Sequence, residues 1–230
     1  MTRLPSHFYA MVDPAGGHEP VSLAETLLDS GVRIMQLRLK DAPGRDFLAA
    51  ARTIAEMCRK RGAILIINDR VDIAMLADAH GVHLGQTDLP LEAARRIAGP
   101  NVMIGISTHN VEQARAAESG GADYIGFGPM YPGGLRNNAA GVGLDNLRAI
   151  RAAVKIPIVA IGGITEARVP EVLAEDSRDV LGVERHRRSI AAVRVVPGEL
   201  ARAPAAVSRT IANADTAPVR PQPIKLRQQE

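Results

Sequence analysis

The chain reads as an α/β protein, a (β/α)8 TIM barrel whose eighth unit is aberrant or incomplete. Short apolar runs alternate with longer amphipathic runs seven times along the sequence, the rhythm of repeated βα units. The short runs are apolar on both faces, as in strands of a parallel sheet covered by helices. Nearly every strand ends C-terminally in polar residues, where a barrel builds its active site.

HFYAMV (7–12) is the first strand, and helical spacing follows over 21–30. GVRIMQLRL (31–39) precedes a helix over 45–61, and AILIIN (63–68) precedes the least regular helical pattern, over 70–79. GVHL (81–84) leads to 90–98, VMIGIS (102–107) to 111–120, and DYIGFG (123–128) to 144–154. IPIVAIGG (156–163) with a helix over 166–174 completes the seventh unit. The spacing also suits a doubly wound sheet, but that fold gathers its ligand at one switch point. Here polar residues recur around a ring: Gln36, Arg38 and Lys40; Asn68 and Asp69; Gln86 and Asp88; Ser107, Thr108 and His109; Gly162 and Gly163.

The pattern fails after Ala174. The remaining segment has no aromatic residue and holds five of the fifteen prolines. Residues 1–174 are therefore taken as barrel units one to seven, 175–214 as an aberrant eighth unit and 215–230 as a disordered tail. Asp179 to Val183 is the expected short strand, and without a full eighth strand the first and seventh would expose unpaired edges, an aggregation hazard.

Composition narrows the function. The chain has 230 residues, 46% hydrophobic and 23% charged, enough apolar surface for one large domain. A single cysteine, Cys58, supports neither a disulfide framework nor a cysteine-based zinc site, and the reducing cytosol is the expected compartment. No stretch approaches the roughly 18 consecutive apolar residues of a membrane span, and no apolar signal core precedes the first acid. The pI of 9.3 hints at nucleic acid until the charge is located. Residues 175–230 carry ten Lys/Arg against seven Asp/Glu, while residues 1–174 balance at 18 and 18. All six aromatics precede residue 132, so basic residues and stacking rings do not interleave and nucleic-acid binding is not expected. Oligomeric state is not legible.

The strand end Gln36-Leu-Arg38-Leu-Lys40 points an amide and two cations to one face. Such cations call for an anion, either a polyanionic ligand such as a phosphate ester or an internal salt-bridge layer with Asp69 and Asp88. Asp69 and Asp88 each follow a strand; without soft ligands they suit Mg²⁺, although Asp88 before Leu89-Pro90 equally suits a helix cap. His83 and His109 lack any metal-site spacing and receive no catalytic role. Ser107 has no nucleophile-elbow context and is read as a hydroxyl donor to phosphate. The loop from Gly128 to Asn138 and the strand end Ala160-Ile-Gly-Gly163 are candidate phosphate cradles.

Taken together, QLRLKD, IINDRVDIA, GVHLGQTDLP, IGISTHN, DYIGFGPMYP, GVGLDNL and IPIVAIGGIT resemble the thiamine phosphate synthase family over residues 8 to about 174. The resemblance implies a Mg²⁺-dependent transferase of thiamine biosynthesis that joins a pyrimidine methyl diphosphate to a thiazole phosphate and releases pyrophosphate. Its partners would then be small phosphorylated substrates. Gln36, Arg38, Lys40 and Asn68 would bind the pyrimidine diphosphate, Asp69 and Asp88 the Mg²⁺, Ser107 the pyrophosphate and Gly163 the thiazole phosphate. Gly133 to Arg136 stand where the family has a Thr-x-Thr-Lys stretch, so Gly133 and Arg136 would line the site with the cation kept and two hydroxyls lost. Val183-Glu184-Arg185 replaces the family's small residue and serine, an unfavourable setting for phosphate, and the stretch after Ala174 has the composition of a shifted reading frame. A thiazole tautomerase relative and a barrel that only binds thiamine precursors are the alternatives. The intact Gln36-Arg38-Lys40 and Asn68-Asp69 sets argue against the tautomerase.

Overall fold

The protein is described here by a computed structural model covering residues 4–6, 8–14, 18–132, 141–174 and 189–194. Eight parallel strands close in chain order, each pairing with the next and β8 with β1. They are β1 (Phe8–Val12), β2 (Ile34–Leu37), β3 (Ile64–Asn68), β4 (Gly81–Leu84), β5 (Met103–Thr108), β6 (Tyr124–Phe127), β7 (Ile158–Ile161) and β8 (Ser189–Arg194). The helices between them are α1 (Pro20–Asp29), α2 (Gly44–Lys60), α3 (Val71–Leu76), α4 (Leu91–Ala98), α5 (Val111–Ser119), α6 (Gly143–Ala153) and α7 (Val169–Ala174).

Alternation along each strand sorts the core into two layers. Phe8, Ala10, Met35, Leu37, Leu65, Ile67, Val82, Leu84, Ile125 and Phe127 face outward into the helix-covered core. Tyr9, Met11, Ile34, Ile64, Ile66, Tyr124 and Val159 form a separate inner cluster filling the barrel. The same parity turns Gln36, Asn68, His83 and Ser107 inward, on the strand residues nearest the C-terminal mouth.

Two expectations change. β2 ends at Leu37, so Arg38 and Lys40 lie on the segment leaving the strand, although Arg38 N–H still donates to Val12 O at 2.9 Å. The described eighth strand is Ser189–Arg194, whereas the expected Asp179 to Val183 lies outside the described residues, as do 175–188 and 195–230. The first and seventh strands are not left unpaired: Phe8 to Met11 meet Ala191 to Arg194, and Ile158 to Ile161 meet Ser189 to Ala192. Two open parallel edges need a partner, and SIAAVR supplies an extended run with β-branched Ile190 and Val193.

Candidate active site

The strand-end residues gather at the C-terminal mouth of β1 to β5. Along the face begun by β2, exposure rises outward: Gln36 is 4% exposed, the Arg38 side chain 24% and the Lys40 side chain 52%. The cations do meet carboxylates. Arg38 Nη1 lies 2.6 Å from Asp13 Oδ2, and Lys40 Nζ 3.6 Å from Asp69 Oδ2. Asp13 was not singled out from the sequence. It follows β1 directly, with a side chain only 4% exposed, and the signal was present: a polar residue at a strand end, the criterion that picked the others. A cleft of about 400 Å³ is lined by Asp13, Arg38 and Lys40, and another of about 140 Å³ by Lys40, Asn68 and Asp69.

The Asp69 and Asp88 carboxylates stand close enough to influence each other. Burial and the nearby Asp88 push the Asp69 carboxyl above its ordinary range, with Lys40 opposing. Asp69 is held there by left-handed backbone (φ 63°), its N–H donating to His83 O at 2.8 Å. Asp88 is not the cap of α4: its Oδ2 accepts from Gly85 N–H at 2.6 Å, closing the turn after β4, while Pro90 precedes the helix without a side-chain cap. Two crowded hard-oxygen donors fit a divalent cation, which would relieve their repulsion. Among the described residues no group of three or more His, Cys, Asp or Glu side chains is placed to hold a metal; Asp69 and Asp88 are the pair that would hold Mg²⁺.

Across the barrel a line of polar side chains runs where aromatic residues read as plain core. Gln36 Nε2 donates to Tyr9 OH at 2.9 Å, Tyr9 OH lies 3.1 Å from Tyr124 OH, Tyr124 OH 3.0 Å from His83 Nδ1, and His83 Nε2 2.9 Å from Ser107 Oγ. Burial raises both phenols well above their ordinary range and pulls the His83 imidazole down to about 4. Gln86 Nε2 donates to Ser107 O at 2.5 Å, tying the β4 turn to β5. His109 Nδ1 instead meets Gly128 O at 2.7 Å, a structural bond.

On the opposite rim, β7 is followed by Gly162 and Gly163, both left-handed (φ 94° and 69°). A Cβ on Gly163 would stand 2.5 Å from Tyr131 O, so glycine here allows two loops to touch. Arg168 fastens the contact, donating to Gly163 O at 2.9 Å and stacking 4.2 Å over the Tyr131 ring, while Tyr131 OH donates to Glu171 Oε1. Gly163 thus sits just past the C-terminal end of β7; Gly133 and Arg136 lie outside the described residues. No helix among the described residues is long and apolar enough to cross a membrane.

Known proteins are similar to this chain in sequence and in fold. The thiamine monophosphate synthase family model matches residues 8–185. A thiamine-phosphate synthase of Moorella thermoacetica is 44% identical over 160 residues, spanning 69% of this chain and 76% of its own length. One from Caldanaerobacter subterraneus subsp. tengcongensis is 41% identical over 181 residues, 78% and 85% of the two chains. The solved thiamine phosphate pyrophosphorylase from Pyrococcus furiosus superposes with a TM-score of 0.77 at 35% identity, covering 90% of this chain and 96% of that one. With the family model covering most of the chain and its strand-end motifs converging on one barrel mouth, this protein belongs to the thiamine monophosphate synthase family.

Proposed function

We propose that this chain condenses 4-amino-2-methyl-5-pyrimidinylmethyl diphosphate with 4-methyl-5-(2-phosphoethyl)thiazole, giving thiamine phosphate and pyrophosphate. The observation that carries the reading is the convergence of Gln36, Arg38, Lys40, Asn68, Asp69, Asp88 and Ser107 on one mouth. Cations, hard carboxylates and a hydroxyl are what a leaving diphosphate requires. Small phosphorylated molecules are then the partners, and the cytoplasm is where they would be met.

The chemistry needs no side-chain nucleophile. The bond from the pyrimidine methylene to the diphosphate oxygen breaks, its electron pair leaving with pyrophosphate, and the thiazole nitrogen lone pair forms the new carbon–nitrogen bond. Arg38 and Lys40 neutralise the charge growing on the leaving group, and Ser107 donates a hydrogen bond to it. To do so Lys40 exchanges Asp69 for phosphate, while Asp13 keeps Arg38 extended toward the mouth. Gln36 and Asn68 orient the pyrimidine end, and the apolar floor of Met11 and Ile66 keeps water from the electron-poor carbon. Asp69 and Asp88 would hold Mg²⁺, which when bound would add charge neutralisation to that of Arg38 and Lys40. The backbone at Gly163 receives the thiazole phosphate. Gly133 and Arg136, which lie outside the described residues, would complete the site in this reading.

The test incubates the purified full chain with both substrates and Mg²⁺ and separates thiamine phosphate chromatographically. Product that requires both substrates supports the reading, and absence of product with a folded protein contradicts it.

A further inference from the structure

Donor and acceptor chemistry gives the buried polar line a direction. At one end the Gln36 amide nitrogen can only donate, so Tyr9 oxygen accepts at 2.9 Å. The Tyr9 proton is then left for Tyr124 oxygen, and the Tyr124 proton for His83 Nδ1. An imidazole whose Nδ1 accepts carries its proton on Nε2, and that N–H meets Ser107 Oγ at 2.9 Å. Ser107 receives one hydrogen bond from below and keeps its own proton to give. No other side chain among the described residues meets its hydroxyl.

The barrel is carved for this line. A Cβ on Gly105 of β5 would lie 2.1 Å from Tyr124 Cζ, and one on Gly126 of β6 would lie 3.0 Å from His83 Cε1. Each glycine yields its inward position to a ring of the line. The rings stand 5.4 Å apart between centroids, and Tyr9 and Tyr124 are fully buried. The line therefore runs from a dry interior to the half-buried serine at the mouth.

We propose that Tyr9, Tyr124 and His83 are positioning residues that hold Ser107 as a hydrogen-bond donor facing the mouth, so that it meets an anionic leaving group with its proton and not its lone pair. The proposal rests on the diphosphate reading for its benefit to catalysis, but the proton placement stands independently of turnover. No proton is transferred along the line; it is an orienting scaffold.

Two measurements on the full chain test it. Long-range ¹H–¹⁵N correlation on the uniformly labelled protein reads the His83 tautomer directly. A proton on Nε2 with Nδ1 bare is expected; a proton on Nδ1 overturns the proposal even if the enzyme turns over normally. If the chain makes no thiamine phosphate, the functional reading fails while this spectrum still decides the proton placement. Steady-state kinetics then compare Tyr124→Phe, Ser107→Ala and the double variant. Tyr124→Phe keeps the ring and is expected to lose the single tautomer and to raise KM for the pyrimidine diphosphate about tenfold, leaving KM for the thiazole phosphate unchanged. Because Tyr124 acts through Ser107, the double variant is expected to be no worse than Ser107→Ala alone. Losses that multiply in the double variant contradict the proposal, as does a Tyr124→Phe protein with an unchanged tautomer.

Discussion

At the residue scale, each site group is defined by what it already touches. Arg38 reaches the mouth on the support of Asp13, at 2.6 Å, so its removal has two separable effects. Arg38→Ala should weaken the pyrimidine diphosphate by about one to two decades, the worth of one charge-assisted hydrogen bond. Thiazole phosphate binding should be unchanged, and calorimetry with each substrate checks the split; equal losses would misplace the diphosphate. The same variant leaves the Asp13 carboxylate buried without its cation and should lower stability by about 1–3 kcal/mol, discounted for the partial exposure of Arg38. Adding Asp13→Asn should recover much of that stability and none of the affinity. His80 and His83 set the pH response. Burial lowers both imidazoles from an ordinary 6.5, His83 to about 4, and His80 Nδ1 accepts from Leu65 N–H at 3.1 Å, a bond that Nδ1 protonation would remove. The unfolded chain takes up these protons first, so stability is full above about pH 6.5 and is lost as pH falls toward 4. Asp69, raised instead, works in the opposite sense. His83 alone is worth about 2–4 kcal/mol across that window, so the urea midpoint should fall markedly from pH 7.5 to 5, and His80→Asn, which cannot titrate, should flatten the slope.

At the element scale, strand parity carries most of the architecture. Gln36 and Asn68 were legible because alternation and a position at a strand's C-terminal end name the inward mouth residues before any coordinates exist. Arg38 and Lys40 were legible for the same reason, although the strand stops at Leu37 and the turn beyond it presents them. The Tyr9–Tyr124–His83 line was not legible, since its members come from β1, β6 and β4 and meet only once the register is known. From the sequence alone, two buried tyrosines look like ordinary core. The glycines of β5 and β6 carried a clue: glycine inside a strand often marks close approach, here of Tyr124 and His83. Gly105→Ala is accordingly expected to destabilise the protein by about 1–3 kcal/mol through overpacking, measured by urea unfolding. A neutral result would mean that the Tyr124 ring has room to move.

At the scale of the whole molecule, closure by β8 is what the sequence concealed. The residues suggested Asp179 to Val183 as the eighth strand, yet pairing on both open edges is made by Ser189–Arg194, a segment whose alanines give little periodic signal. A chain ending at residue 188 should therefore expose the edges of β1 and β7 and aggregate, as light scattering would record; a monomeric, cooperatively folded truncation would show that β8 is dispensable. The division into an aberrant eighth unit and a tail remains our proposal for the residues beyond Ala174. In the proposed function, the strand ends from β2 to β5 form one diphosphate-handling face with Asp69 and Asp88 at its centre. The most direct measurement is thiamine phosphate turnover as a function of Mg²⁺ concentration for the wild-type chain, Asp69→Asn and Asp88→Asn, with folding of each verified by its melting curve. Saturable Mg²⁺ dependence in the wild type and at least a hundredfold loss in both variants, on the order of the 2.7 kcal/mol that such a factor represents, is the predicted result. Near-wild-type turnover by either folded variant would contradict a Mg²⁺ role for the Asp69–Asp88 pair.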